Sequence, residues 1–171
     1  MFFDSIPGWM LPGNREKLAE LIERCEIRTV IEIGTCYGLS AAWFAQRVER
    51  VTCVDLWGAI PCAGVPKNVY ELFVRNMEAL GVSDRITIVR GDSHSPETLQ
   101  QVQPADLVYI DGDHTYEGCK KDIEMYGPLA LNILCGDDYD PATEDLRGVP
   151  KAVDEMLPGR QTFGIFWWLV K

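Results

Sequence analysis

Five short apolar runs, separated by segments with helical spacing, constrain this chain more than any other feature. The runs are Thr29–Ile33, Val51–Asp55, Ile86–Val89, Leu107–Ile110 and Leu131–Cys135. A glycine or an acid ends each one or follows within two residues. Their residues are nearly all apolar rather than alternating with polar ones. Strands of that kind are covered on both faces, which is the habit of a parallel sheet between layers of helix. The intervening segments supply those layers. Asn14 is placed as an N-cap ahead of Leu18, Leu21, Ile22 and Cys25. A helix follows over Leu39–Val48. Val69, Leu72, Phe73, Met77 and Leu80 form an amphipathic stripe that Gly81 stops. A short helix is expected after Pro96, another over Tyr116–Ala130, and a last one over Leu146–Leu157, ended by Pro158-Gly159. The twelve residues after Gly159 leave room for strands and no helix, and an antiparallel hairpin fits them.

The expectation is a single doubly wound α/β domain over residues 1–171, mostly parallel, with a C-terminal antiparallel hairpin and an irregular arm at 1–13. A chain of 171 residues suits one domain and buries a sizeable core. Sixteen Lys and Arg against 26 Asp and Glu leave a net charge of −10, which argues against nucleic acid or an anionic membrane as partner. No window reaches the roughly 18 apolar residues of a membrane span. The N-terminus lacks the basic and apolar regions of a signal peptide. Cys25, Cys36, Cys53, Cys62, Cys119 and Cys135 form no C-x-x-C pair, so reduced thiols in a cytoplasmic protein are expected.

Ligands of open α/β sheets bind beyond the carboxyl ends of the strands. Glu32-Ile-Gly34-Thr-Cys-Tyr-Gly38-Leu-Ser40 follows the first run. It differs from the Rossmann G-x-G-x-x-G in holding Cys36 where the second glycine lets backbone approach a pyrophosphate. A dinucleotide fits poorly, and a ligand with no pyrophosphate fits better. S-adenosylmethionine is such a ligand. Glu32 is the candidate for its ammonium, directly or through water, and the backbone N–H groups of Gly38 to Ser40 for its carboxylate. The other reading of this motif is an ordinary strand-to-helix turn. Asp55 ends the second strand 21 residues beyond Gly34, where Rossmann-like folds place an acid on the ribose hydroxyls. Trp57 stands either on the adenine or in the core or rim. Asp92 and Ser93, after the third strand, are candidates for the adenine amine, and both are also common turn formers.

The run VIEIGTCYGLS…VTCVD…ITIVRGDS…DLVYIDGDHTYE…ILCGDDY resembles the class I methyltransferases over roughly residues 29–140. More narrowly it resembles the macrocin O-methyltransferase-like and cephalosporin-hydroxylase-associated subgroup, with catechol O-methyltransferase more distant. The resemblance implies a Rossmann-like fold, S-adenosylmethionine as cofactor, and methyl transfer. In the class I strand order the fourth and fifth strands are neighbours, about 4.8 Å apart, so Asp111, Asp137 and Asp138 converge. Carboxylates that close repel one another unless a cation joins them, and hard oxygen ligands suit Mg²⁺, Mn²⁺ or Ca²⁺. The resemblance matches these three, one by one, to a metal triad, with Mg²⁺ the first candidate. Solvated loop acids are the plainer reading. His114, three residues beyond Asp111, matches the general base of the macrolide-sugar enzymes, where the catechol type has Lys. A structural partner for a carboxylate is the alternative. His94, following the adenine-side turn, is read as a surface or outer contact. Tyr37, Tyr116 and Tyr139 are placed to line an acceptor pocket, but packing is the commoner role of aromatic residues at such positions. Trp167 and Trp168 are expected to face the core on one side and a substrate or oligomer contact on the other.

Two departures stand out. Leu129-Ala-Leu-Asn132 replaces the Pro-Gly-Gly of many relatives, and Asp137 stands where many have His. Little chain remains for an acceptor cap beyond residues 1–13 and the loop 56–66. The acceptor is therefore expected to be a small molecule, a sugar or secondary metabolite, or a second subunit completes the site. Phe2, Phe3 and Trp9 offer apolar surface for a homo-oligomer. The competing classes are an NAD-dependent oxidoreductase, which the missing glycine disfavours, and a non-catalytic cofactor-binding scaffold.

Overall fold

A computed structural model describes residues 6–8, 10–58, 68–143 and 147–171. Phe2, Phe3, Trp9, Cys62, Leu146 and most of the loop 56–66 lie outside them. One seven-stranded sheet runs β3-β2-β1-β4-β5-β7-β6. Its strands are β1 (Thr29–Ile33), β2 (Arg50–Asp55), β3 (Ile86–Arg90), β4 (Ala105–Ile110), β5 (Ala130–Gly136), β6 (Gln161–Phe163) and β7 (Phe166–Val170). β1 to β5 are parallel, and β7 returns antiparallel to both β5 and β6. The Rossmann-like sheet and its terminal hairpin match the expectation. The chain winds outward from β1 through β2 to β3, then crosses to β4. The strand order therefore reverses between β1 and β4, which is where such sheets open a crevice.

The helices are α1 (Pro12–Arg24), α2 (Leu39–Ala45), α3 (Val69–Leu80), α4 (Pro96–Leu99), α5 (Tyr116–Tyr126) and α6 (Gly148–Met156). Alternate strand residues feed opposite layers. Val30, Cys53, Tyr109 and Cys135 pack with α1, α2 and α3, whereas Ile31, Val54, Ile110 and Leu134 pack with α5 and α6. Trp43, Phe44, Phe73, Tyr126 and Trp167 are fully buried in these layers. Each large apolar side chain so buried is worth about 1.5–3 kcal/mol, so the two layers can offset the cost of burying charge at the strand ends.

Three local expectations are corrected. α1 begins at Pro12, inside the supposed arm, and Leu11 rather than Asn14 is its N-cap. Proline at the first helical turn has no N–H to satisfy and its φ is already helical, while Asn14 spends its side chain elsewhere. Trp167 and Trp168 are 0% and 4% exposed, so neither presents a free face. Phe166 stacks on Trp168 and Lys17 lies over its ring. The helix expected to run to Ala130 ends at Tyr126 and tightens into a 3₁₀ turn at Gly127–Leu129, because Pro128 cannot continue it.

The end of the sheet away from the crevice is fastened by Asp106. The β4–β5 register shifts between Ala105 and Leu107. Asp106 Oδ2 there accepts from Arg28 N, Thr29 N and Thr29 Oγ1, all at 2.9 Å. Burial pulls its pKa up, but these hydrogen bonds outweigh it and hold the carboxyl below its ordinary range. A carboxyl depressed in the fold adds stability above the unfolded pKa and loses it as pH falls through the folded one. Asp106→Ala is expected to cost about 2 kcal/mol at pH 7, a fall of roughly 4–8 °C in Tm for a domain of this size. The deficit should shrink below pH 4. Thermal unfolding across pH checks both.

Candidate active site

The crevice end is built by loops that approach closely. Gly34, at φ +88°, follows β1, and a side chain there would overlap the Asp111 carbonyl after β4. A side chain at Gly136 would overlap the Ile110 carbonyl. Glycine at both positions lets the ends of β1, β4 and β5 meet.

Glu32 is fully buried beneath this junction. Its Oε2 accepts from Thr35 Oγ1 at 3.0 Å, while Oε1 has no hydrogen-bond partner. Burial pushes it up to about 8, against the hydroxyls of Ser40 and Thr35. A buried acid with an unmatched oxygen is costly in isolation and well suited to receive an ammonium. Asp55 joins two loops: Oδ2 accepts from Cys36 N at 2.8 Å, and Oδ1 from Trp57 N at 2.6 Å. Each oxygen keeps a second lone pair for a hydroxyl donor. Cys36 has φ +49°, so the chain makes its left-handed turn here without the glycine of the dinucleotide motif. Gly38 N donates to Thr35 O at 2.9 Å and is already committed. The N–H groups that the first turn of α2 leaves without intrahelical partners begin after it, at Leu39 and Ser40.

In the turn after β3, Asp92 is exposed, with Oδ1 accepting from His94 N at 2.9 Å. Tyr126 of α5 donates its hydroxyl to Ser93 O at 3.0 Å. Trp57 takes the packing reading. It is 2% exposed, lies 4.8 Å from the Phe73 ring, and donates Nε1 to Cys36 O. Burying a large apolar ring against Phe73 and Tyr70 won over a rim position, so its face is not offered to a ligand.

The acids divide differently from the expected triad. Asp111, His114 and Asp138 bring one ligand atom each within 4.8 Å of one another. His114 Nε2 lies 3.0 Å from Asp138 Oδ2 and 3.6 Å from Asp111 Oδ1. Asp138 reaches this cluster through a left-handed turn at φ +61°. Asp137, its neighbour, points elsewhere. Its Oδ1 accepts from Asn14 Nδ2 at 2.8 Å and its Oδ2 from the Tyr109 hydroxyl at 3.4 Å. Consecutive residues leaving a strand face opposite sides, which sends Asp137 toward α1. Burial pushes Asp137 up to about 7, and the charges of Asp111 and Asp138 add to it. Asp111 is also raised, chiefly by burial. The two carboxylates hold the His114 proton, moving its pKa up to about 10, so in this arrangement it is a cation at neutral pH. Two hard carboxylates and an imidazole at that spacing, with a third acid close enough to repel them, fit a divalent cation.

Sequence reasoning missed Asn14, Thr35 and the Tyr109 hydroxyl. A signal existed for Asn14: positions 14, 18, 21 and 22 share a helix face, and a polar residue on an apolar stripe needs a partner. Among the pocket candidates, Tyr139 turns to α6, donating its hydroxyl to Asp154 at 2.7 Å, and Tyr116 donates to Glu155 at 2.6 Å. Tyr37 is buried in the core.

Comparison with known proteins adds an independent line. The family described as a methyltransferase domain matches residues 31–132, more than half of the chain. A search of curated proteins finds no match. Solved structures similar to this chain include an O-methyltransferase from Bacillus cereus in complex with S-adenosylhomocysteine. That likeness has 19% identity, TM-score 0.71, and 98% of this chain against 86% of that one. The O-methyltransferase TomG from Streptomyces achromogenes, in complex with S-adenosylmethionine, is 19% identical with TM-score 0.66 over 92% of this chain and 79% of its own. The O-methyltransferase NovP gives TM-score 0.74 at 16% identity over 92% and 78%.

Proposed function

Because this chain belongs to the methyltransferase-domain family, we propose that it transfers the methyl group of S-adenosylmethionine to a hydroxyl of a small molecule, with a divalent cation assisting. The observation that carries the reading is the meeting of two unlike sites at the strand-order reversal. Glu32 and Asp55 end β1 and β2, and Asp111, His114 and Asp138 follow β4 and β5. The first site suits a cationic amino acid joined to a ribose. The second suits a cation and a hydroxyl. The membership sets aside the dehydrogenase reading, and the turn at Cys36 agrees with that. Two structural relatives, one holding S-adenosylhomocysteine and one S-adenosylmethionine, are O-methyltransferases by name, which supports oxygen as the acceptor atom. Among the described residues no helix is long and apolar enough to cross a membrane.

In this reading Glu32 receives the ammonium, Leu39 and Ser40 offer backbone N–H groups to the carboxylate, Asp55 accepts from the ribose, and the Asp92–Ser93 turn meets the adenine. Asp111 and Asp138 would hold the cation, Mg²⁺ first among candidates, with His114 beside them and Asp137 kept back by Asn14. A cation there supplies Lewis acidity that lowers the pKa of a bound hydroxyl. With the charges of Asp111 and Asp138 neutralised, nothing holds the His114 proton far above its ordinary range, and the imidazole becomes available to the acceptor hydroxyl. Catalysis then rests mainly on aligning the acceptor oxygen with the sulfonium methyl. The test is a panel of sugar and phenolic alcohols incubated with the protein, S-adenosylmethionine and Mg²⁺. A mass gain of one CH₂ on a hydroxyl, abolished by chelation, is expected. Methylation of a nitrogen or carbon, or turnover indifferent to chelation, contradicts the reading.

A further inference from the structure

Behind the adenine-side turn lies an imidazole–carboxylate pair that the chemistry above does not use. Asp122 of α5 is fully buried. His94 Nε2 stands 3.2 Å from its Oδ1. No hydrogen bond of good geometry reaches either oxygen of Asp122. Burial raises the carboxyl to about 6, against the Ser93 hydroxyl and the charge of His94, with Asp113 acting in the same sense as burial. Carboxylates are rarely buried without a tight partner, so this one calls for a reason.

Its surroundings supply one. The other oxygen, Oδ2, packs beneath Gly112, where an added Cβ would meet it at 3.2 Å. Asp122 therefore touches the loop after β4 on one side and the turn after β3 on the other. One turn further along α5, Tyr126 holds the same turn through Ser93 O. Gly91 N bonds to Asp55 O at 3.0 Å, so the turn is continuous with the end of β2. α5 thus grips a turn whose own exposed acid, Asp92, uses its Oδ1 within the turn, on His94 N.

We propose that the His94–Asp122 pair is a positioning device for the cofactor's adenine half, by which α5 sets the height of the Asp92–Ser93 turn against the adenine. This rests on the reading of that turn as the adenine site. His94 and Asp122 do not touch the ligand themselves. Their effect falls on the nucleoside end more than on the ammonium site; because Asp122 also lies against Gly112, next to Asp111, the cation site is the control against which that loss is read.

The probes are S-adenosylhomocysteine and 5′-methylthioadenosine, which lacks the amino-acid portion. Replacing His94 by leucine (His94→Leu) is expected to weaken both by the same factor, about tenfold, with Mg²⁺ affinity unchanged. Glu32→Gln should weaken the first probe and spare the second. Removing one partner leaves a buried charge that destabilises His94→Leu; the double variant His94→Leu/Asp122→Leu removes both polar groups and should fold stably. It is still expected to bind 5′-methylthioadenosine about tenfold more weakly than wild type. Wild-type affinity in the folded double variant overturns the proposal, as does a loss that falls equally on Mg²⁺. A wild-type protein that binds neither nucleoside overturns the reading of the site itself, and this inference with it.

Discussion

Asp138→Ala is expected to lower methyl transfer by at least about 100-fold while leaving S-adenosylhomocysteine affinity within about threefold. The asymmetry follows from where the side chain reaches. Asp138 contacts His114 at 3.0 Å and belongs to the Asp111–His114–Asp138 cluster, while Glu32 and Asp55 bond to Thr35, Cys36 and Trp57. In the proposed reaction Asp138 serves the acceptor side, so its removal takes away interactions with the reacting hydroxyl and not those with the cofactor. A loss of two or more orders of magnitude is typical when such an electrostatic group is deleted. The Mg²⁺ heat in calorimetry should disappear with it. Asp137→Asn is the informative contrast. Asn14 and Tyr109 can still bond to an amide at that position, so cation binding should persist if Asp137 stays where the structure has it. Its loss would return Asp137 to the ligand set.

The second large effect concerns Glu32. Glu32→Gln is expected to weaken S-adenosylhomocysteine about 30–100-fold, because the fully buried carboxylate with an unpartnered oxygen beneath the β1 turn is removed. The free protein should respond the other way. Glu32 has a folded pKa of about 8, above its ordinary value of 4.5. A raised acid binds more protons folded than unfolded between those values, so the stability it allows is present at low pH and lost as pH rises toward 8. The wild-type Tm should therefore fall between pH 5 and 8, and the glutamine variant should flatten that fall. Binding an ammonium favours the ionised form, so complex formation releases a proton near pH 7 and affinity rises toward pH 8. Calorimetry in two buffers of different ionisation enthalpy detects the proton, and the variant should release none.

What the sequence made legible follows from what each residue's neighbours depend on. The five parallel strands were readable because burial on both faces demands continuous apolar residues, a local condition. The placement of Glu32, Asp55, Asp111 and Asp138 at one end of the sheet is legible because each acid stands at or just beyond the end of an apolar run. Trp57 was not resolved, since the choice between core and rim depended on Phe73 and Tyr70, on a helix it meets only after folding. The turn of Asp137 toward α1 is not legible because its partner, Asn14, lies 123 residues away, and no spacing rule links α1 to the end of β5. The His94–Asp122 contact was hidden for the same reason: it depends on the phase of α5 over the sheet. Convergence in sequence gave the right neighbourhood, and rotation about the strand end decided which carboxylates share it.

The most direct test is titration of the protein with S-adenosylhomocysteine, and separately with NAD⁺, in the absence of divalent cation. One S-adenosylhomocysteine site per chain is expected, cation-independent and sensitive to Glu32→Gln, with no heat from NAD⁺. Silence with S-adenosylhomocysteine, or NAD⁺ binding in its place, would contradict the proposed function.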